Sequence, residues 1–80
     1  MEQRNKTFGD WLREQRLDRG MTIGQFAEVC RLSYVTLSNI ERDKYKAGIY
    51  ATKQIANALN MHYIDLRNVI KERELNDGNH

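Results

Sequence analysis

The sequence contains no proline, a single cysteine and no apolar run near the ~18 residues that a membrane-spanning helix needs. One cysteine cannot form an internal disulfide, and the two histidines provide no Cys/His cluster at zinc-site spacing. No apolar stretch follows the charged N-terminus, so we expect no signal peptide and a cytoplasmic location. Without proline to stiffen its loops, a chain of 80 residues is expected to have only modest stability.

Net charge is also low, at +2, and this value alone does not indicate a nucleic-acid partner. The distribution is uneven, however. Between Arg31 and Lys53 there are five basic and two acidic residues, an excess of three positive charges, whereas His62 to His80 carry an excess of one negative charge. A positive field centred on one segment is typical of a surface that contacts phosphates. The length and the remaining composition indicate one ordinary globular domain.

Apolar residues recur at helical spacing through most of the chain, and no strand is predicted, so the predicted fold class is all-α, a compact five-helix bundle. Asn60 is expected to end the fourth helix in a left-handed conformation, and Ile49 is expected on the core-facing side of that helix. The domain should span residues 7–74, with a flexible N-terminus at 1–6 and a flexible tail at 75–80. The predicted helices run from Phe8 until Gly20, then over Ile23–Cys30, Tyr34–Glu41, Ile49–Leu59 and Tyr63 to about Glu74.

The second and third of these helices are joined by a tight turn, and together they are the most informative feature of the chain. Thr22 and Gln25 have the spacing of a capping box at the start of the second helix. Ser33 is placed to cap the third. An apolar stripe on the two helices points to a common core, with the small Ala27 where two steeply crossing backbones approach; its other members are Phe26, Cys30, Leu37 and Ile40.

The outer face of the third helix carries small, polar and hydrogen-bonding side chains, namely Tyr34, Val35, Thr36, Ser38 and Asn39. A solvated helix face usually carries Lys and Glu, and this one carries neither. The composition therefore favours contact with a partner, although an ordinary solvated face remains the alternative reading.

The segment resembles the helix-turn-helix of the lambda-repressor-like (Xre/Cro-type) DNA-binding domains. The similarity runs without a gap from about Phe8 to Leu66, and includes F-G-D-W-L-R, R-G-M-T, I-E-R-D-K and I-A-N-A-L-N-M around the central motif. The resemblance implies a sequence-specific regulator of transcription that binds double-stranded DNA. It further implies a repressor that binds a pseudo-palindromic operator as a homodimer.

By the same resemblance, the outer face of the third helix reads bases in the major groove. Asn39 is suited to adenine, whereas Thr36 and Val35 are suited to thymine methyl groups. The base-reading residues implied are Tyr34, Val35, Thr36 and Asn39.

The resemblance also implies contacts with the DNA backbone, which position a protein without reading sequence. For Ser33, capping is a sufficient explanation, and for Tyr45 packing beneath the loop is as good an explanation as a phosphate contact. The basic loop residues could equally serve solubility. The phosphate-binding residues implied are Thr22, Ile23, Arg31, Ser33, Ser38, Arg42, Lys44, Tyr45 and Lys46.

Several positions concern structure or depart from the family pattern. Arg16 and Glu41 match family positions that form an ion pair between the first and third helices. Ile23 replaces a polar residue, so only its backbone N–H remains to hold a phosphate. Arg31 and Asp43 each replace a glycine; strain is expected at Arg31, and Asp43 adds a negative charge near the DNA backbone.

Partners other than DNA are less clearly indicated. The last helix is expected to supply a dimer contact through Tyr63, Val69 and Ile70, or else these side chains seal the core of the monomer. RNA polymerase or another regulator is a possible protein partner, whereas no membrane, cofactor, metal or small-molecule ligand is predicted. No nucleophile has an adjacent base, so no enzyme is predicted either. The alternative function is a protein-interaction module of the same fold, with a partly exposed Trp11 as its contact.

Overall fold

The computed structural model describes the backbone of residues 6–78 and the side chains of residues 6–73. Five helices and no strand occur within this range, so the predicted all-α class is confirmed. The helices are α1 (Phe8–Asp18), α2 (Ile23–Cys30), α3 (Tyr34–Glu41), α4 (Ile49–Ala58) and α5 (Tyr63–Gly78).

The helix bounds follow the predicted ones closely except at three ends. α1 stops at Asp18, before the predicted end at Gly20, and α4 stops at Ala58 with Leu59 as its cap. α5 continues to Gly78, so residues 75–78, which were assigned to a tail, are helical. Residues 1–5 and 79–80 of the predicted flexible termini lie outside the described residues. Lys6, at the end of the predicted N-terminal segment, forms an ion pair with Glu14 of α1.

The core combines apolar residues from all five helices. Phe26 and Leu37 of the central pair are fully buried, together with Leu12, Ile55 and Leu66 from the other three helices. Cys30 is also buried, as the apolar stripe predicted. Burial raises the pKa of the Cys30 thiol to about 12, with a further contribution from the Glu41 carboxylate. The thiol is therefore protonated at neutral pH and acts as a packing group.

Helices α1 to α4 all end in the same hydrogen-bonding pattern. In each helix, a residue with positive φ donates its N–H to the carbonyl three residues earlier in the chain. The next residue donates its N–H to the carbonyl five residues earlier, and the two bonds together define a Schellman motif. For α2, the Arg31 N–H reaches the Glu28 carbonyl at 3.1 Å and the Leu32 N–H reaches Ala27 at 3.0 Å. The four left-handed residues are Gly20, Arg31, Asp43 and Asn60.

Helix starts are equally well defined for α1, α2 and α3. The hydroxyl groups of Thr7, Thr22 and Ser33 each accept the backbone N–H three residues ahead. At Thr22 the predicted capping box is complete, because the Thr22 N–H also donates to the Gln25 side chain at 2.9 Å. α4 differs, since its first flanking residue is Gly48, which provides no side-chain cap.

The start of α1 lies directly against the end of α3. The Gly9 N–H donates to Asp43 Oδ1 at 3.0 Å, and the Thr7 hydroxyl donates to Asp43 Oδ2 at 2.6 Å. A Cβ on Gly9 would collide with the Glu41 carbonyl oxygen and lie 2.8 Å from Asp43 Oδ1. Asp43 is thus a tertiary cap on α1, and its carboxylate is bonded within the protein rather than being only a charge beside the DNA backbone.

We predict opposite effects when alanine replaces glycine at the second position of α1 and of α2. Gly9→Ala should lower the free energy of unfolding by at least ~2 kcal/mol, because the collision involves backbone. Gly24→Ala is the matched control: its Cβ would meet only Thr22 Oγ1 at 3.9 Å, so the higher helix propensity of alanine should leave stability unchanged or raise it by ~0.5 kcal/mol. Urea unfolding measures both. Equal stability of the two variants would contradict the close approach of α1 and α3.

We also predict that Arg31→Gly stabilises the protein, since Arg31 has φ 60° and ψ 41°. Relief of left-handed strain should add about 0.5–1 kcal/mol, which raises Tm by roughly 2–8 °C for a domain of this size. Asn60→Gly, at the same φ of 60°, is the control and should gain less, because asparagine tolerates this conformation better than arginine. An unchanged or lower Tm for Arg31→Gly in a thermal melt would refute the strain.

Candidate nucleic-acid interface

A buried ion pair sets the orientation of α3. Arg16 Nε donates to Glu41 Oε2 at 2.8 Å, and Arg16 Nη2 donates to Glu41 Oε1 at 3.1 Å, which is the two-point geometry that arginine and carboxylate favour. The third nitrogen of the guanidinium, Nη1, donates to the Met21 carbonyl at 2.9 Å. The pair therefore joins α1 to the end of α3 and to the connection that leads into α2.

The outward face of α3 is exposed where the helix begins. Tyr34 is 58% exposed and Val35 is 65% exposed, although both are large and largely apolar. Thr36, Ser38 and Asn39 lie half-buried along the same helix. Large apolar side chains left in water at a helix start are a feature of surfaces that contact a partner.

Hydrogen bonds between Ser33 and Thr36 fix the first turn of α3. Ser33 Oγ accepts the Thr36 N–H at 3.0 Å and donates its own proton to Thr36 Oγ1 at 2.9 Å. Thr36 thereby receives a bond and keeps its hydroxyl proton for another acceptor. Ser33 has a complete structural role as the cap, and its two bonds hold the turn that presents Tyr34 and Val35.

The start of α2 offers backbone donors rather than side chains. The Thr22 hydroxyl is occupied by capping, and the Ile23 side chain is half-buried against the core. The first N–H groups of a helix have no partner within that helix, and they carry the positive end of its dipole. The backbone N–H of Ile23 is therefore the group at this position that can bind a phosphate.

The connection between α3 and α4 supplies the positive charge. Arg42, Lys44 and Lys46 are exposed there, as is Tyr45, which is 65% exposed rather than packed beneath the loop. Asp43, the acidic residue of this segment, is bonded to the start of α1. Its charge is thus held toward α1, and the three basic side chains dominate the outer surface of the loop. Arg31 is likewise exposed, in the turn before α3.

Two residues at the start of α4 were not identified from the sequence as part of this surface. Ile49 was expected to face the core, and this was wrong: it is 67% exposed, because it occupies the first position of the helix next to the exposed Gly48. Tyr50 is 65% exposed as well. The signal available in the sequence was Gly48 itself, which stands where a capping Ser or Thr would use up an N–H group.

The last helix and Trp11 are engaged within the chain. The Trp11 ring is half-buried and stacks on Phe8 with 5.7 Å between ring centroids. Val69 and Ile70 are partly buried against the core, and Lys53 Nζ lies 5.7 Å from the centre of the Tyr63 ring. Trp11 is thus partly exposed, as expected, but one side of its ring is covered by Phe8, and part of the predicted dimer surface serves the monomer.

No group of three or more His, Cys, Asp or Glu residues that could hold a metal ion occurs within the described residues. In the same part of the chain, no helix has the length and apolarity required to cross a membrane.

A family model described as Helix-turn-helix matches residues 12–66, which include α2, the turn and α3. The chain belongs to the lambda-repressor-like (Xre-type) helix-turn-helix family. Among solved structures, it is similar to the clp gene regulator ClgR from C. glutamicum, with 26% identity and a TM-score of 0.64. The similarity covers 85% of this chain and 88% of that chain. No curated protein sequence matches significantly.

Membership of this helix-turn-helix family, together with the regulator as a structural neighbour, identifies the chain as a DNA-binding transcriptional regulator. The surface described above is consistent with this class. It combines an exposed helix face with a basic loop on one side, the capped start of α2, and the start of α4, which has no side-chain cap.

The buried pair predicts that Glu41→Gln costs roughly 3–5 kcal/mol of unfolding free energy, because Arg16 is left charged, buried and without its carboxylate. A double variant, Arg16→Met with Glu41→Leu, should lose less than Glu41→Gln, since no uncompensated charge remains. Urea unfolding of both variants tests this. A double variant that is less stable than Glu41→Gln would show that the unpaired charge of Arg16 is not the main cost of Glu41→Gln, which would contradict this explanation.

Proposed function

We propose that this protein is a cytoplasmic repressor that binds a pseudo-palindromic operator as a homodimer and reads its sequence with α3. The observation that supports this most strongly is the outward face of α3, which exposes Tyr34 and Val35 at the N-terminal end of the helix. In helix-turn-helix proteins this end enters the major groove.

The proposed base contacts follow from the chemistry of each side chain. Asn39 has the donor and acceptor pair that matches the edge of adenine, and Val35 and the methyl of Thr36 suit thymine methyl groups. The hydroxyl proton of Thr36, which Ser33 leaves available, can donate to a base acceptor. Tyr34, at the first position of the helix, can reach a base edge or a phosphate.

The proposed contacts with the DNA backbone lie on both sides of α3. On one side are the start of α2, with the Thr22 hydroxyl and the Ile23 N–H, and the turn containing Arg31 and Ser33. On the other side is the basic loop. Ser38 is a further proposed contact and lies on α3 itself. Phosphate contacts at two separated places fix the register of the helix in the groove. The loop contributes Arg42, Lys44, Tyr45 and Lys46.

Dimerisation is proposed because a single module of this size buries little DNA-contact area, and two-fold symmetry doubles it. The proposed contact is α5, through the uncovered parts of Tyr63, Val69 and Ile70. Exposed Ile64 lies on the same helix. Repression would follow from occlusion of a promoter, and contact with RNA polymerase would be a further use of the surface. A monomeric mass in sedimentation equilibrium, both with and without operator DNA, would end this part of the proposal.

The alternative, a protein-interaction module of the same fold, is distinguished by salt. Binding through about four to eight phosphates gives a plot of log K against log salt with a slope of roughly −4 to −7. Binding to a protein partner would not have this dependence. The alternative draws on Ile23, on the low net charge and on the partly exposed Trp11, of which the stacking of Trp11 on Phe8 weakens the last.

We predict that Asn39→Ala and Lys44→Gln weaken DNA binding in different ways. Asn39→Ala should abolish the preference for one base at one position of the site, a preference worth about 1–3 kcal/mol. The base preferences at the other positions should remain. Lys44→Gln should weaken binding evenly across sequences and reduce the salt slope by about 1. Arg13→Gln, an exposed charge on α1, is the control for net charge. Fluorescence anisotropy with an operator and its single-base variants measures each effect. Retained discrimination in Asn39→Ala would show that the base assignment is wrong.

A further inference from the structure

The turn between α2 and α3 is bonded from outside the helix-turn-helix by a side chain of α4. Gln54 Nε2 donates to the Cys30 carbonyl at 3.0 Å, and the bond is partly buried. The two residues are 24 positions apart in the chain. The bond therefore joins α4 to the segment that leads from α2 into α3.

The bond from Gln54 completes the hydrogen bonding of one peptide group. The Cys30 carbonyl and the Arg31 N–H belong to the same planar peptide unit. The Arg31 N–H donates to the Glu28 carbonyl at 3.1 Å. The Cys30 carbonyl lies at the end of α2, where a helix has no further N–H to offer, and Gln54 supplies the donor. Both polar groups of the peptide are thus bonded, which fixes its plane.

The orientation of this peptide matters because Arg31 follows it. Arg31 adopts φ 60° and ψ 41°, a left-handed conformation that is unfavourable for arginine. Rotation of the preceding peptide changes φ of Arg31 and, with it, the directions of the Arg31 side chain and of the chain entering α3. The bond between Gln54 and Cys30 opposes that rotation.

Arg31 and Gln54 also line the same open groove between α2 and α4. Arg31 is exposed there, whereas Gln54 is half-buried. None of the described residues that line the groove is acidic, so no carboxylate in the groove opposes the charge of Arg31. The other lining residues are Val29, Tyr50, Asn57 and Ala58.

We propose that Gln54 is a positioning residue for DNA binding. It bonds the Cys30 carbonyl and thereby holds Arg31 in the conformation from which its side chain binds a phosphate. This role rests on the proposed phosphate contact of Arg31. It gives the motif a second fixed point, because Arg16 bonds the end of α3 and the connection into α2, whereas Gln54 bonds the turn.

A double-mutant cycle in DNA binding tests this role, with a duplex of arbitrary sequence at about 50 mM salt. Gln54→Met keeps the length of the side chain and removes the donor, and Arg31→Gln removes the charge. By anisotropy, Gln54→Met should weaken binding roughly two- to tenfold, as expected for one neutral hydrogen bond. Arg31→Gln should also weaken binding and reduce the salt slope by about 1.

The decisive comparison is Gln54→Met in the Arg31→Gln background. No further loss of affinity is expected there, because Gln54 acts through Arg31. Equal losses in both backgrounds would overturn the proposal, since a general loss of structure does not depend on Arg31. Unchanged binding by Arg31→Gln alone would refute the phosphate contact of Arg31, and the positioning role of Gln54 with it.

Rescue variants separate the donor from the shape of the side chain. Gln54→Lys should restore binding, because a lysine ammonium can also bond the last carbonyls of a helix. Asn57→Lys adds the same charge to the same groove while Gln54 is kept, and Gln54→Lys should bind DNA at least as tightly as this control. Binding by Gln54→Lys as weak as that of Gln54→Met would contradict the role of the donor.

Hydrogen exchange without DNA distinguishes failure of the positioning role from failure of the proposed function. Exchange of the Arg31 and Leu32 amides, relative to the amides of α1, should be faster in Gln54→Met. Asn57→Ala, which changes an exposed residue of the same groove, should leave it unchanged. Faster exchange confined to the turn, in a chain that binds no DNA, would support the hold of Gln54 on the turn and refute the DNA-binding function. Unchanged exchange at the turn in Gln54→Met would overturn the positioning role.

Discussion

The orientation of α3 depends on the ion pair between Arg16 and Glu41. Because the guanidinium bonds the Glu41 carboxylate with two nitrogens and the Met21 carbonyl with the third, one side chain of α1 positions both helices of the DNA-binding motif. A buried pair of this kind adds little net stability, since removing two charges from water costs about as much as their attraction returns. Its contribution is geometric: it selects one angle of α3 against α1 among those that the apolar core would allow.

The end of α3 is held in place by a second contact that also shapes the electrostatics of the interface. Asp43 takes the left-handed position after α3 and caps α1 through Gly9 and Thr7. The same bonds keep its charge at α1, while the basic side chains around it remain exposed. Asp43 thus joins the end of α3 to the start of α1, and the outer surface of the loop is positively charged.

Local signals in the sequence predicted most of the fold. The capping box at Thr22 and the cap at Ser33 placed α2 and α3, and Asn60 was identified as a left-handed terminator. Contacts between distant residues could not be predicted in this way. Asp43 bonds Gly9 across 34 positions, and the stacking of Phe8 and Trp11 with Arg73 beside it depends on how α1 and α5 meet. The outward face of α3 was predictable because it follows from helical spacing alone. The exposure of Ile49 was not, because it depends on what packs beside the first turn of α4.

The central claim is that α3 reads DNA sequence, and selection of bound duplexes from a random pool at about 100 mM salt tests it most directly. We expect enrichment of a site with two-fold symmetry, whose half-sites lie about one helical turn, roughly 34 Å, apart. Salt-sensitive binding without an enriched sequence would contradict base reading by α3, and an enriched site without symmetry would contradict the homodimer. No binding at all would contradict the function as a whole.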